Sequence, residues 1–61
     1  MTPKRVKKIR VSLGLSQPAL AELLRVAVGT VRDWEQGRNA PSGPAELLLE
    51  LAERGVLKSK E

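Results

Sequence analysis

The ionisable side chains of this 61-residue sequence are eleven lysines and arginines and seven aspartates and glutamates, with no histidine and no cysteine. The common zinc sites need imidazole or thiolate, so they are excluded, as are cysteine nucleophiles and histidine acid–base catalysis. Asp33 and Glu35 are the carboxylates most easily mistaken for a general acid and base. On a helix, residues two apart do not face each other, and no nucleophile or second base accompanies this pair. The sequence is therefore read as non-enzymatic, with no cofactor and no metal. Trp34 is the only aromatic residue. Binders of RNA and single strands stack bases on exposed rings, and a lone tryptophan three residues from Val31 reads as core instead. What remains is binding chemistry: guanidinium, ammonium, amide and hydroxyl groups that can meet an anionic partner.

The charge is concentrated where that chemistry is expected. Residues 1–38 carry eight basic and three acidic side chains, net +5, whereas residues 39–61 carry three and four, net −1. The basic part suits a polyanion and the remainder does not. Lys4, Arg5, Lys7, Lys8 and Arg10 read equally well as the solvated face of an amphipathic helix.

Four helical elements must position these groups, and nothing reads as a strand. Thr2 is a candidate N-cap with Pro3 at N1, Val6, Ile9 and Leu13 share one face, and Gly14 ends the first helix. Ser16 caps a second helix whose apolar stripe is Leu20, Leu23 and Leu24. The third helix is expected from about Val28 to Gln36, ending at Gly37. Ser42 caps a fourth, with Pro44 in its first turn and Gly55 at its end. Val56 and Leu57 fold back there as a C-terminal hydrophobic cap, and residues 58–61 are expected to fray. There is no internal repeat and no linker, so residues 1–61 read as one domain.

The stretch from Gln17 to Gly37 is the informative one. Two short helices are joined by Arg25, Val26 and Ala27, too few residues for a long antiparallel hairpin. The arrangement this favours is a steep crossing, a helix-turn-helix. Ala21 then permits close approach, Val26 plugs the turn into the core, and Val31 and Trp34 anchor the second helix of the pair. Val28, Gly29, Thr30, Arg32, Asp33 and Gln36 are left facing outward.

The run Leu15-Ser16-Gln17, Ala21, Leu24, Val26, Thr30-Val31, Trp34-Glu35-Gln36-Gly37-Arg38 and Pro41-Ser42 resembles the phage-repressor and Cro type of helix-turn-helix domain. It is closest to short bacterial regulators in which "WEQGR" continues into "PSGPA", many of them antitoxins or autoregulators. The resemblance covers roughly Val6 to Leu51. It implies an all-α fold, a small four- to five-helix bundle of the lambda-repressor-like type. It also implies a sequence-specific regulator of transcription that binds double-stranded DNA, most simply a repressor of its own operon. Two positions depart from the family pattern. Arg25 stands where glycine is usual, at a left-handed position where a side chain costs about 1–2 kcal/mol. Ala27 stands where serine or threonine usually caps the recognition helix, a loss of roughly 1 kcal/mol.

The resemblance assigns roles by position. The third helix would enter the major groove with Val28, Gly29, Thr30, Arg32 and Asp33 toward base edges. Val28 and the Thr30 methyl suit thymine methyls, Gly29 permits close backbone approach, and Arg32 can grip guanine at two points or touch phosphate. Gln17, Gln36, Arg38, Asn39 and Ser42 are the expected phosphate contacts. Gln17 is also a residue the family uses to brace the recognition helix, and Arg25 reaching a phosphate would offset its strain.

A recognition helix with few base donors discriminates weakly alone, so a homodimer on an inverted-repeat operator is expected. Its half-sites would lie about 34 Å apart. Leu47, Leu48, Leu49 and Leu51 cover more than one face of the fourth helix. The surplus, taken as Leu48 and Leu49 with Val56 and Leu57, is the candidate two-fold interface. The alternative function is an antitoxin-type interaction module that neutralises a cognate toxin, with DNA binding secondary. A tail of four to seven residues outside the motif leaves little chain to wrap such a partner. A nonspecific basic DNA-coating protein is the blander option, and with no second domain small-molecule sensing is not expected. No apolar run exceeds three residues, far below the roughly 20 that span a membrane, and no apolar stretch follows the basic N-terminus as in a secretory signal. With no cysteine, a cytoplasmic location is expected.

Overall fold

The computed structural model describes residues 1–57 of the chain, so the expected frayed tail at 58–61 lies outside the described residues. Four helices follow in order: α1 Pro3–Ser12, α2 Gln17–Leu24, α3 Val28–Gln36 and α4 Gly43–Glu53. No strand occurs among the described residues. The small helical bundle expected from the sequence is what forms.

The ends of the helices follow from local chemistry. Thr2, Ser16 and Ser42 sit in extended conformation, and their hydroxyls accept from the backbone N–H of Arg5 at 3.2 Å, Ala19 at 3.2 Å and Ala45 at 3.4 Å. Each thereby satisfies one of the donors that a helix start leaves free. All four helices end in the same double hydrogen bond. The backbone N–H groups of Gly14, Arg25, Gly37 and Gly55 return to Val11, Glu22, Trp34 and Ala52, and those of the next residues return to Arg10, Ala21, Asp33 and Leu51. This Schellman arrangement requires a left-handed residue at each exit, and three of the four are glycine.

The core is made where the four apolar stripes meet. Val6 and Ile9 of α1, Leu20, Ala21 and Leu24 of α2, Val31 and Trp34 of α3, and Leu49 of α4 form one buried cluster. A fully buried aliphatic side chain of this kind contributes about 1.5–3 kcal/mol. The principal helix contacts are α3 with α2 and α1, and α4 with α1 and α2. Two polar links tie α4 to the start of the chain. Arg5 donates to both oxygens of Glu53 at 2.7 Å, and the Met1 ammonium donates to Glu46 at 2.8 Å.

The position of α4 corrects the expected interface. Leu49 is completely buried and Ala52 with it, so the inward stripe of α4 is Ala45, Leu49 and Ala52. Leu49 is a core residue and not an interface residue. Leu48 and Leu57 are half-buried and pack against the core cluster. The exposed apolar side chains at this end are Leu47, 55% exposed, and Val56, 64% exposed.

Candidate nucleic-acid interface

The turn between α2 and α3 is three residues long, and the sequence explains how it is held. Leu24 and Ala21 are buried at the end of α2, and half-buried Val26 packs into the same core. The Val26 N–H returns to the Ala21 carbonyl at 3.0 Å, closing the exit of α2. Arg25 occupies the left-handed position at φ 61 and ψ 42, the only non-glycine residue at positive φ among the described residues. Its side chain is exposed. Ala27, the N-cap of α3, makes no side-chain capping bond, unlike the caps of the other three helices. Both departures noted in the sequence therefore fall in the turn that leads into α3.

From behind, α3 is anchored by buried Val31 and Trp34, as their spacing implies. A polar clamp adds to this. Arg10 on α1 donates from Nε to Glu35 Oε2 at 2.6 Å and from Nη2 to Glu35 Oε1 at 3.0 Å. Its Nη1 donates to the Leu15 carbonyl at 3.0 Å, and Gln17 Nε2 donates to Glu35 Oε1 at 3.3 Å. Glu35 is thus fixed from both α1 and the start of α2, and its side chain is only 7% exposed. The Arg10 hydrogen bonds hold the Glu35 carboxyl below its ordinary range, against the opposing effect of burial, with Gln17, the Arg10 charge and Lys7 assisting. The same pairing raises Arg10, which stays charged. Nothing in the sequence signals this role of Glu35. Arg10 and Glu35 are 25 residues apart, and no local spacing rule connects them.

In front, α3 presents the expected outward groups unevenly. Arg32 and Gln36 are exposed. Gly29 and Thr30 are half-buried, and so is Val28, whose side chain packs against the core cluster and is only partly available. Asp33 is half-buried and lies 3.6 Å from the Arg38 guanidinium, which is 70% exposed. This pairs an expected base reader with an expected phosphate contact. Asn39 and Ser42 are exposed just beyond, with the Ser42 hydroxyl already accepting as the cap of α4. Gln17, also expected at phosphate, is half-buried and turned onto Glu35, which is the bracing role.

One more carboxylate is perturbed. Glu53 lies below its ordinary range through the Arg5 hydrogen bonds, with the Arg5, Lys8 and Arg54 charges assisting. Arg5, one of the basic groups of α1, is thus already occupied by a carboxylate, while Lys4, Lys7 and Lys8 are exposed. Among the described residues no group of histidine, cysteine, aspartate or glutamate is placed to hold a metal ion. No described helix is long and apolar enough to cross a membrane.

A two-helix unit with a three-residue turn, a second helix braced from behind, and polar groups on its outer side is the geometry that reads a groove. The family model described as "Helix-turn-helix" matches residues 6–54. The chain belongs to the helix-turn-helix family. That family is one of DNA-binding transcription regulators, and the phage-repressor and Cro type inferred from the sequence agrees with it. The chain is also similar to antitoxin HigA-2 of Vibrio cholerae serotype O1, with 37% identity over 54 residues. The match takes in 88% of this chain and 52% of that antitoxin, so this helix-turn-helix chain spans about half the length of the relative.

Proposed function

We propose that this chain is a sequence-specific transcription regulator that binds double-stranded DNA through α3 and represses its own operon. The observation that carries the reading is the division of α3 into two sides. Val31, Trp34 and Glu35 are locked into the bundle, while Arg32 and Gln36 project to solvent beside Gly29, Thr30 and Asp33. A rigid helix with a free polar face suits major-groove readout, in which an arginine such as Arg32 grips guanine at two points. Gln36, Arg38, Asn39, Ser42 and Arg25 flank that face as phosphate contacts, which position without specifying. The chain is a single domain in this reading, non-enzymatic and without cofactor. It acts in the cytoplasm as a homodimer on an inverted repeat. The outer edge of α4 and the following turn, with Leu47 and Val56, supply the two-fold surface.

The relation to antitoxin HigA-2 favours a second reading, in which the chain also binds a cognate toxin. The test is selection from random duplex DNA by the purified protein at about 150 mM salt. An enriched inverted repeat with half-site centres about one helical turn apart supports the dimeric regulator. Salt-sensitive retention with no enriched sequence overturns specific readout and leaves nonspecific coating. No retention at all turns the search to a protein that co-purifies.

A further inference from the structure

Gly29 is the one glycine of α3, the second residue of its first turn, and nothing among the described residues asks for it. Its backbone is ordinary helix, not the left-handed region that favours glycine. A Cβ built there meets nothing within 4 Å. Neither packing nor backbone geometry would be disturbed by alanine, which is the better helix former, by up to about 0.5 kcal/mol in a first turn, where the interior penalty of glycine is reduced. The contrast with Gly37 is plain: that residue ends the helix at φ 80, and its Cβ would approach Pro3 at 3.5 Å. Angular position adds the second part of the argument. At 100° per residue, Gly29 lies nearly opposite the buried pair Val31 and Trp34, with Asp33 and Gln36 on either side of it. The missing side chain is therefore at the most forward point of the face presented to a groove.

We propose that Gly29 is a specificity-determining position that reads by lacking a side chain: a base edge packs directly against its Cα when α3 is seated in the major groove. This rests on the DNA-binding reading above. Carbon–carbon contact is made at about 3.5–4.0 Å, and a thymine methyl is the apolar group that a base edge offers there. A Cβ at position 29 would occupy that space and hold α3 away from the neighbouring contacts of Arg32 and Asp33.

The test compares the full chain with Gly29→Ala, using the duplex enriched by the wild type and a scrambled duplex of the same length. Two separate effects are expected. The variant melts no lower, and higher by up to about 4 °C for a domain of this size. Its affinity for the enriched duplex falls about tenfold or more while its affinity for the scrambled duplex is unchanged. Replacing thymine by uracil at the enriched positions should weaken the wild type at one of them and leave Gly29→Ala indifferent there. Equal affinity of variant and wild type for the enriched duplex overturns the proposal and leaves the DNA-binding reading intact. Equal loss on both duplexes also overturns it, because the contact would then be with sugar and phosphate. A wild type that enriches no sequence overturns both.

Discussion

The Arg10 guanidinium on α1 and the Glu35 carboxylate on α3 meet through two hydrogen bonds of 2.6 and 3.0 Å. Both side chains are largely buried, Arg10 Nη1 also donates to the Leu15 carbonyl, and Glu35 Oε1 also accepts from Gln17 Nε2. A buried ion pair adds little over an apolar pair of the same shape, but removing one partner leaves the other charge stranded. Its consequence here is positional: together with buried Val31 and Trp34 it ties α3 to α1 and to the start of α2.

The pair makes stability depend on acid. Glu35 is held below its ordinary value of 4.5, chiefly by the Arg10 hydrogen bonds. Its stabilisation is complete above that value and fades as the pH falls through the lowered one, because protonation then uncouples it from Arg10. Urea denaturation at a series of pH values between 7 and 2.5 should show a loss that Glu35→Gln reduces. At pH 7, Glu35→Ala is expected to destabilise by about 2–4 kcal/mol, the stranded Arg10 charge included. The exposed Arg5–Glu53 pair titrates in the same direction, but its contribution should vanish in high salt while that of Glu35 persists.

Arg25 occupies a position that the other three helix exits give to glycine. Arg25→Gly should raise stability by about 1 kcal/mol, since left-handed strain outweighs the entropy that glycine loses on folding. If Arg25 contacts phosphate, the same variant binds all duplexes more weakly and its salt slope falls by about one. Thermal denaturation and a salt titration of DNA affinity measure the two effects separately.

Leu47 and Leu49 should behave oppositely. Leu49→Ala opens a cavity in the core and is expected to cost about 2–5 kcal/mol, enough to unfold much of so small a protein. Leu47→Lys removes an exposed apolar side chain and should leave the melting of the monomer nearly unchanged. In the homodimer proposed above, analytical ultracentrifugation should show Leu47→Lys shifted toward monomer. A wild type that is monomeric at tens of micromolar, both free and on its duplex, would remove the dimer.

Arg32 and Gln17 separate reading from bracing. Arg32 is exposed on α3, whereas Gln17 reaches Glu35 from the start of α2. Arg32→Ala should relax preference at one base pair at a cost of about 1–3 kcal/mol. Gln17→Ala should weaken all duplexes alike. A competition assay with single-base variants of the enriched duplex distinguishes the two patterns.

Local chemistry was legible in the sequence wherever the cause lay within a few residues. Thr2, Ser16 and Ser42 predict the starts of three helices, and Gly14, Gly37 and Gly55 predict three ends, because capping hydrogen bonds and left-handed turns are closed by near neighbours. The helix-turn-helix was legible for the same reason, through the short turn and the spacing of Ala21, Val26, Val31 and Trp34. α4 was less so. Its leucines at 47, 48, 49 and 51 satisfy more than one helical face, and only packing against α1 and α2 chose the face of Ala45, Leu49 and Ala52. The Arg10–Glu35–Gln17 clamp was not legible at all, since charges 25 and 18 residues apart carry no local signature. The amino-acid sequence by itself determined three helix starts, three helix ends and the short turn that makes α2 and α3 a helix-turn-helix. The tertiary structure alone decided which face of α4 is buried and that Arg10 and Gln17 meet Glu35, because those depend on contacts between elements that meet only when the bundle closes.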